Sequence, residues 1–137
     1  MAFDRNGDSH RVNVVLDTNA LMMPAQFGVD LFGCLTELLG SYNALVPPEV
    51  VAELRGLSIG KGENQAAARF GLIVADRCEL LPEWGEDIPV DDKVVKNARE
   101  FNAVVVTNDK KLRKKLLDER IPVVILRSRC KLDLIGK

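Results

Sequence analysis

Apolar residues along this chain switch repeatedly between the spacing of a buried strand and the spacing of a helix. Val12–Leu16 (VNVVL) is an apolar run rich in β-branched residues, as expected for a strand covered on both faces of a parallel sheet. It ends abruptly at Asp17-Thr18-Asn19. Residues 29–39 (VDLFGCLTELL) repeat their apolar positions at helical spacing, and Gly40 stops that helix. Residues 44–46 read as a short strand running into Pro47-Pro48, and a helix over 49–57 can begin there because proline is tolerated in a first turn. Gly56, Gly60 and Gly62 mark a flexible connection. An alanine-rich helix over 64–78 and a strand at 79–81 follow, then an acidic loop over 82–89 that contains Trp84. Residues 91–101 are helical in period, 103–106 (AVVV) form a strand, 109–119 a basic helix, and 122–126 (PVVIL) another buried strand. Residues 132–135 suggest an edge strand.

Strand and helix alternate throughout, which implies right-handed βαβ units and a parallel sheet with helices on both faces. The fold class is α/β. Residues 1–11 form a polar leader, and residues 12–137 form one domain, as a length of 137 residues suggests. Hydrophobic residues make up 47% and charged residues 28%, so the composition is that of an ordinary globular protein. No apolar run reaches the roughly 18 residues of a membrane span, and the leader lacks an apolar stretch, so the expected location is the cytoplasm.

Composition also limits the chemistry. Cys34, Cys78 and Cys130 are far apart and in no CxxC spacing, which argues for reduced, mostly buried thiols rather than disulfides or a zinc site. The one histidine, His10, lies in the leader, so a core histidine base is excluded. Neither GxxxxGK[ST] nor GxGxxG occurs.

Acids at strand ends are what remains. In open α/β sheets, active sites gather beyond the carboxyl ends of the strands. Asp17 follows the first strand directly, and Asp109 follows AVVV through Thr107 and Asn108. Asp91 opens a helix, and Glu53 lies about one turn into another. Each has a plainer alternative: Asp17, Asp91 or Asp109 as a helix N-cap, and Glu53 as a solvated helix residue. Carboxylates brought together repel unless a divalent cation sits among them, and oxygen ligands with retained water suit Mg²⁺ or Mn²⁺. Such a cluster implies phosphoryl chemistry with metal-activated water.

LDTNALM at 16–22, PPEVVAEL at 47–54, DDKVVKNA at 91–98 and VVVTNDKKLRKKL at 104–116 resemble, in order and spacing, the four motifs of PIN-domain nucleases. The resemblance runs from about residue 12 to the C-terminus. It implies a three-layer PIN-like sandwich with a parallel sheet of about five strands in the order 3-2-1-4-5. It also implies that Asp17, Glu53, Asp91 and Asp109 are the catalytic metal-binding acids, with Asp92 as an auxiliary ligand. Asn19 and Thr107 would orient the carboxylates or the attacking water, turn and capping chemistry being the alternative. Two branches of the family compete. The stretches at 17–32 and 122–136 look more like the endonucleases of pre-ribosomal RNA cleavage and their archaeal relatives, although the cysteine and histidine zinc ligands of the eukaryotic members are missing. The other branch is the VapC-type toxin ribonucleases, which an antitoxin covers.

Charge is unevenly placed. Residues 1–109 carry 9 Lys/Arg against 17 Asp/Glu, and residues 110–137 carry 10 against 3. Lys110, Lys111, Arg113, Lys114 and Lys115 follow Asp109 directly, and Arg127, Arg129 and Lys131 follow the last buried strand. They are either a solvated face or a track for a single-stranded RNA backbone. The expected activity is Mg²⁺/Mn²⁺-dependent endoribonucleolytic hydrolysis leaving 5′-phosphate and 3′-hydroxyl ends. The expected partners are single-stranded RNA or structured rRNA, a second copy as a homodimer, an antitoxin in the toxin branch, and no membrane. A catalytically silent RNA-binding module with the same fold is the alternative. A phosphoacceptor signalling domain fits poorly, since Asp17 stands alone in its loop and residues 122–126 lead to arginine rather than the lysine that class needs.

Overall fold

A computed structural model of the protein describes residues 11–128 and 131–136. The proposed leader, His10, Cys130 and Arg129 therefore lie outside the described residues, apart from Arg11. The described chain runs β1 (Val12–Leu16), α1 (Thr18–Phe27), α2 (Leu31–Leu39), β2 (Tyr42–Val46), α3 (Pro48–Leu57), α4 (Glu63–Ala75), β3 (Glu79–Leu80), α5 (Val90–Glu100), β4 (Val104–Val106), α6 (Lys110–Asp118), β5 (Val123–Ser128) and β6 (Lys131–Ile135).

The strands form one sheet in the order β3-β2-β1-β4-β5-β6. Its first five members are parallel and in the expected order. The sheet has six strands rather than about five, because β6 folds back antiparallel along β5, with Val124 opposite Leu134 and Leu126 opposite Leu132. An antiparallel return needs only a short connection, whereas a parallel strand needs a crossover. Successive strand residues point to opposite faces. Val14, Val15 and Leu16 are all fully buried, as are Val105 and Val106, so both faces of the central strands are covered. The layers are α/β/α, with α5 against β1 and β4, α6 against β5, and α2 against β2 and β6.

Helix α1 is the element that periodicity does not reveal. It is buried over four consecutive residues, Ala20, Leu21, Met22 and Met23, and so shows no polar stripe. Pro24 lies inside it and removes one backbone donor, yet the helix continues to a left-handed cap at Gly28 whose N–H reaches the Pro24 carbonyl at 2.9 Å. Packing against α4 supports it. Gly71 of α4 sits so close to α1 that a Cβ there would lie 3.2 Å from the Leu21 carbonyl oxygen. Cys34 and Cys78 form no disulfide and are half-buried.

Candidate active site

Helices α1 and α6 begin where the central strands β1 and β4 end, each capped by an acid, and α5, reached from the edge strand β3 by the loop over 81–89, carries a third acid in its first turn. Asp17 ends β1 and caps α1, its carboxylate accepting from Ala20 N–H at 2.7 Å. Asp109 caps α6 and accepts from Lys111 N–H at 2.9 Å and Leu112 N–H at 3.4 Å. Asp91 lies in the first turn of α5, where Pro89 rather than Asp91 is the cap. The capping and site alternatives for Asp17 and Asp109 thus coincide: the bond that caps the helix also aims the carboxylate. Partial positive charge at the helix N-termini favours carboxylates there.

Asp17, Glu53, Asp91 and Asp109 line one cavity of about 250 Å³, together with Thr18, Asn19, Met22, Leu57, Val90 and Val94. Apolar walls and acidic groups therefore share a small space. Glu53, on α3, accepts a hydrogen bond from the Thr18 hydroxyl, which joins the start of α1 to α3. Thr18 was not singled out in the sequence. The signal for it was only its place in the DTN turn.

Thr107 is fully buried and stands between two of the acids. Its hydroxyl bonds to the Asp17 carboxylate and accepts from Asp109 N–H at 3.0 Å. Asn19 lines the cavity while its side-chain oxygen accepts from Asn108 N–H at 2.8 Å. Both residues hold the β4–α6 turn against the β1–α1 turn. Asn108 completes the clamp: its amide donates to the Leu126 carbonyl at 3.1 Å and accepts from Leu126 N–H at 2.8 Å.

Burial pushes the Asp17 carboxyl up from 3.8 to about 7. The nearby charges of Asp109 and Asp91 add to the rise, and the bonds from Thr107 and Ala20 oppose it. Asp91 is also raised, first by burial and then by Asp109, with Lys115 acting against it.

Asp92 does not line this cavity. It pairs with Lys115, 3.3 Å away across the α5–α6 contact. Of the basic residues, Lys114 is paired with Asp118 at 3.1 Å and Arg127 with Asp133 at 3.1 Å. Lys110 and Lys111 are exposed at the start of α6, beside Asp109, while Arg113 is half-buried. Trp84 is taken up in packing, donating to the Asn97 side-chain oxygen at 2.7 Å and lying against Phe101.

The donor set suits a hard divalent cation in kind, being oxygen only, with one carboxyl whose pKa is pushed up first by burial and then by its acidic neighbours. Among the described residues no three acidic, histidine or cysteine side chains already close on a single ion.

Comparison with known proteins agrees with this architecture. The family described as PIN like domain matches residues 14–129. Ribonuclease VapC9 of Archaeoglobus fulgidus is 30% identical over 128 residues, covering 93% of this chain and 92% of the relative. The solved PIN domain endonuclease Utp24 superposes with a TM-score of 0.80 at 26% identity, over 94% of this chain and 95% of that one. No described helix is long and apolar enough to cross a membrane. The chain belongs to the PIN-like domain family of nucleases.

Proposed function

We propose that this protein is a divalent-metal-dependent endoribonuclease whose acids are Asp17, Glu53, Asp91 and Asp109. One observation carries the reading: four carboxylates from four separate elements share one small cavity, and the most buried of them is held near neutrality by burial and by its neighbours. The likeness to a ribonuclease favours RNA as the substrate. A bound Mg²⁺ or Mn²⁺ would supply charge neutralisation at the scissile phosphate and acidify a water.

The chain's own groups do the positioning. The Asp17 carboxylate, fixed by Thr107 and Ala20, forms the floor, and Asp109 is held by two backbone N–H groups of α6. Asp91 and Glu53 approach from α5 and α3, and Thr18 fixes Glu53. Buried Met22 and Val94 give the cavity an apolar wall beside Asp17, and interactions on that side are less screened than those at the exposed Glu53 and Asp109.

The test is cleavage of a single-stranded RNA in Mn²⁺ or Mg²⁺. Wild type cleaves, EDTA stops it, and Asp109→Asn lowers the rate by at least about 10³-fold with an unchanged circular dichroism spectrum. Metal-independent cleavage, or an undiminished rate in Asp109→Asn, would rule the reading out. The likeness to the structure of an endonuclease and the resemblance of residues 17–32 support a place in ribosomal RNA maturation. The likeness to VapC9 supports a second role, a toxin held by an antitoxin. Growth arrest on expressing the chain alone, relieved by the product of a neighbouring gene, would select the second role.

A further inference from the structure

We infer that the groove beside the acid cavity, between the end of α1 and the end of β5, is a base-stacking subsite for single-stranded RNA, with the Phe27 ring as its platform. The inference rests on the ribonuclease reading above and adds to it where the strand lies.

Phe27 is the last residue of α1 and is 48% exposed; among the described rings only Phe70, at 44%, approaches it. It forms one wall of a groove of about 570 Å³ whose other walls include Gln26, Asn108, Leu126, Arg127 and Ser128. That volume accommodates a ligand of nucleotide size.

The groove and the acid cavity are separate spaces that meet at the β4–α6 turn. Asn108 immediately precedes Asp109, and its N–H is held by Asn19, which lines that cavity. The Asn108 side chain makes one bond in each direction to the Leu126 backbone, which pins this wall. Helix α1 joins the two sites: Asp17 caps one end and Phe27 ends the other, about 15 Å of helix apart.

Charge selects the side of Phe27 on which a polyanion lies. The Asp133 carboxylate holds Nε of Arg127, and the terminal amino groups are the donors that can meet a phosphate or a base edge. On the other side of Phe27 lies a second groove, with Pro24, Ala67 and Phe70 among its walls. It contains Glu63 and no cation. Exposed Lys110 and Lys111 extend the positive field from Asp109. A base presents a π-face whatever its identity, so stacking holds a strand without reading its sequence. The bases of a duplex are already stacked within it, so the groove selects unpaired RNA.

The experiment uses a short single-stranded RNA carrying one 2-aminopurine, moved through the sequence, with Ca²⁺ in place of Mg²⁺ to spare the probe. Wild type quenches the fluorophore at one position. Phe27→Ala abolishes that quench and weakens binding roughly 5- to 150-fold. Phe27→Leu, apolar but unable to stack, behaves like Phe27→Ala, and Phe27→Trp restores quench and affinity. Wild-type affinity and quench in Phe27→Ala and Phe27→Leu overturn the inference. Conversion of a dimer to a monomer by Phe27→Ala, with RNA binding untouched, overturns it in favour of a docking face for a second copy. A wild type that cleaves RNA while all Phe27 variants bind normally sinks this inference alone. A wild type that neither binds nor cleaves RNA sinks the ribonuclease reading together with it.

Discussion

At their N-terminal ends, β1 and β2 are joined by amides. Asn43 donates to the Asn13 side-chain oxygen at 3.0 Å, Asn13 donates to the Phe101 carbonyl at 2.8 Å, and Arg11 donates to the Tyr42 carbonyl and to Asn43. At the C-terminal end of the same sheet, β1 and β4 lead into Asp17 and Asp109, and Asp91 and Glu53 join them. The first end completes its hydrogen bonds within the chain. The second gathers like charges that the chain only partly offsets, through helix N-termini and the hydroxyls of Thr18 and Thr107. One end of the sheet serves stability. The other keeps an electrostatic deficit that a cation from outside would relieve.

The contrast is sharpest in its dependence on pH. Asp17 titrates near 7 in the folded, metal-free protein and near 3.8 in the unfolded chain. A carboxyl with a raised folded pKa holds a proton that the unfolded chain has already released. Stability therefore falls as pH rises from 3.8 to about 7, by up to about 4 kcal/mol, and is flat beyond. Asp17→Asn should remove that slope and stabilise the protein at pH 8 in EDTA, since Asn caps a helix as well as Asp does. Urea unfolding at pH 5 and pH 8 measures it. A slope surviving in Asp17→Asn would assign the deficit to other groups.

The amide end predicts a smaller effect of a different kind. Asn13→Ala leaves the Phe101 carbonyl and the Asn43 amide without their partner and should cost about 1–3 kcal/mol at any pH, with the RNA cleavage rate unchanged. A loss of cleavage without a loss of stability would break the division between the two ends.

Much of the strand-end chemistry was legible in the sequence because strand ends are. VNVVL and AVVV are buried β-branched runs, so the acids after them had to lie on the sheet's carboxyl edge. Glu53 and Asp91 stood out only as acids on helices, ordinarily solvated, and it was the family pattern that joined them to Asp17 and Asp109. Helix α1 escaped because four consecutive buried residues, Ala20 to Met23, erase its amphipathic period and Pro24 argues against a helix. The Asp92–Lys115 ion pair escaped because the partners lie 23 positions apart. Phe27 escaped for a related reason: its exposure depends on where α1 stops, and α1 itself was hidden.

Metal-dependent thermal stability tests the central claim most directly, because it reads the acid cluster without requiring a substrate. Melting is followed at pH 8, where Asp17 is ionised before metal is added, in EDTA and then in Mg²⁺ or Mn²⁺. At about 100 times its dissociation constant, the ion adds about 2.7 kcal/mol, roughly 5–10 °C for a domain of this size. The wild type should show that shift, Asp17→Asn and Asp91→Asn should lose most of it, and Asp92→Asn should keep it. Equal shifts in wild type, Asp17→Asn and Asp91→Asn, or no shift in any of them, would contradict the account.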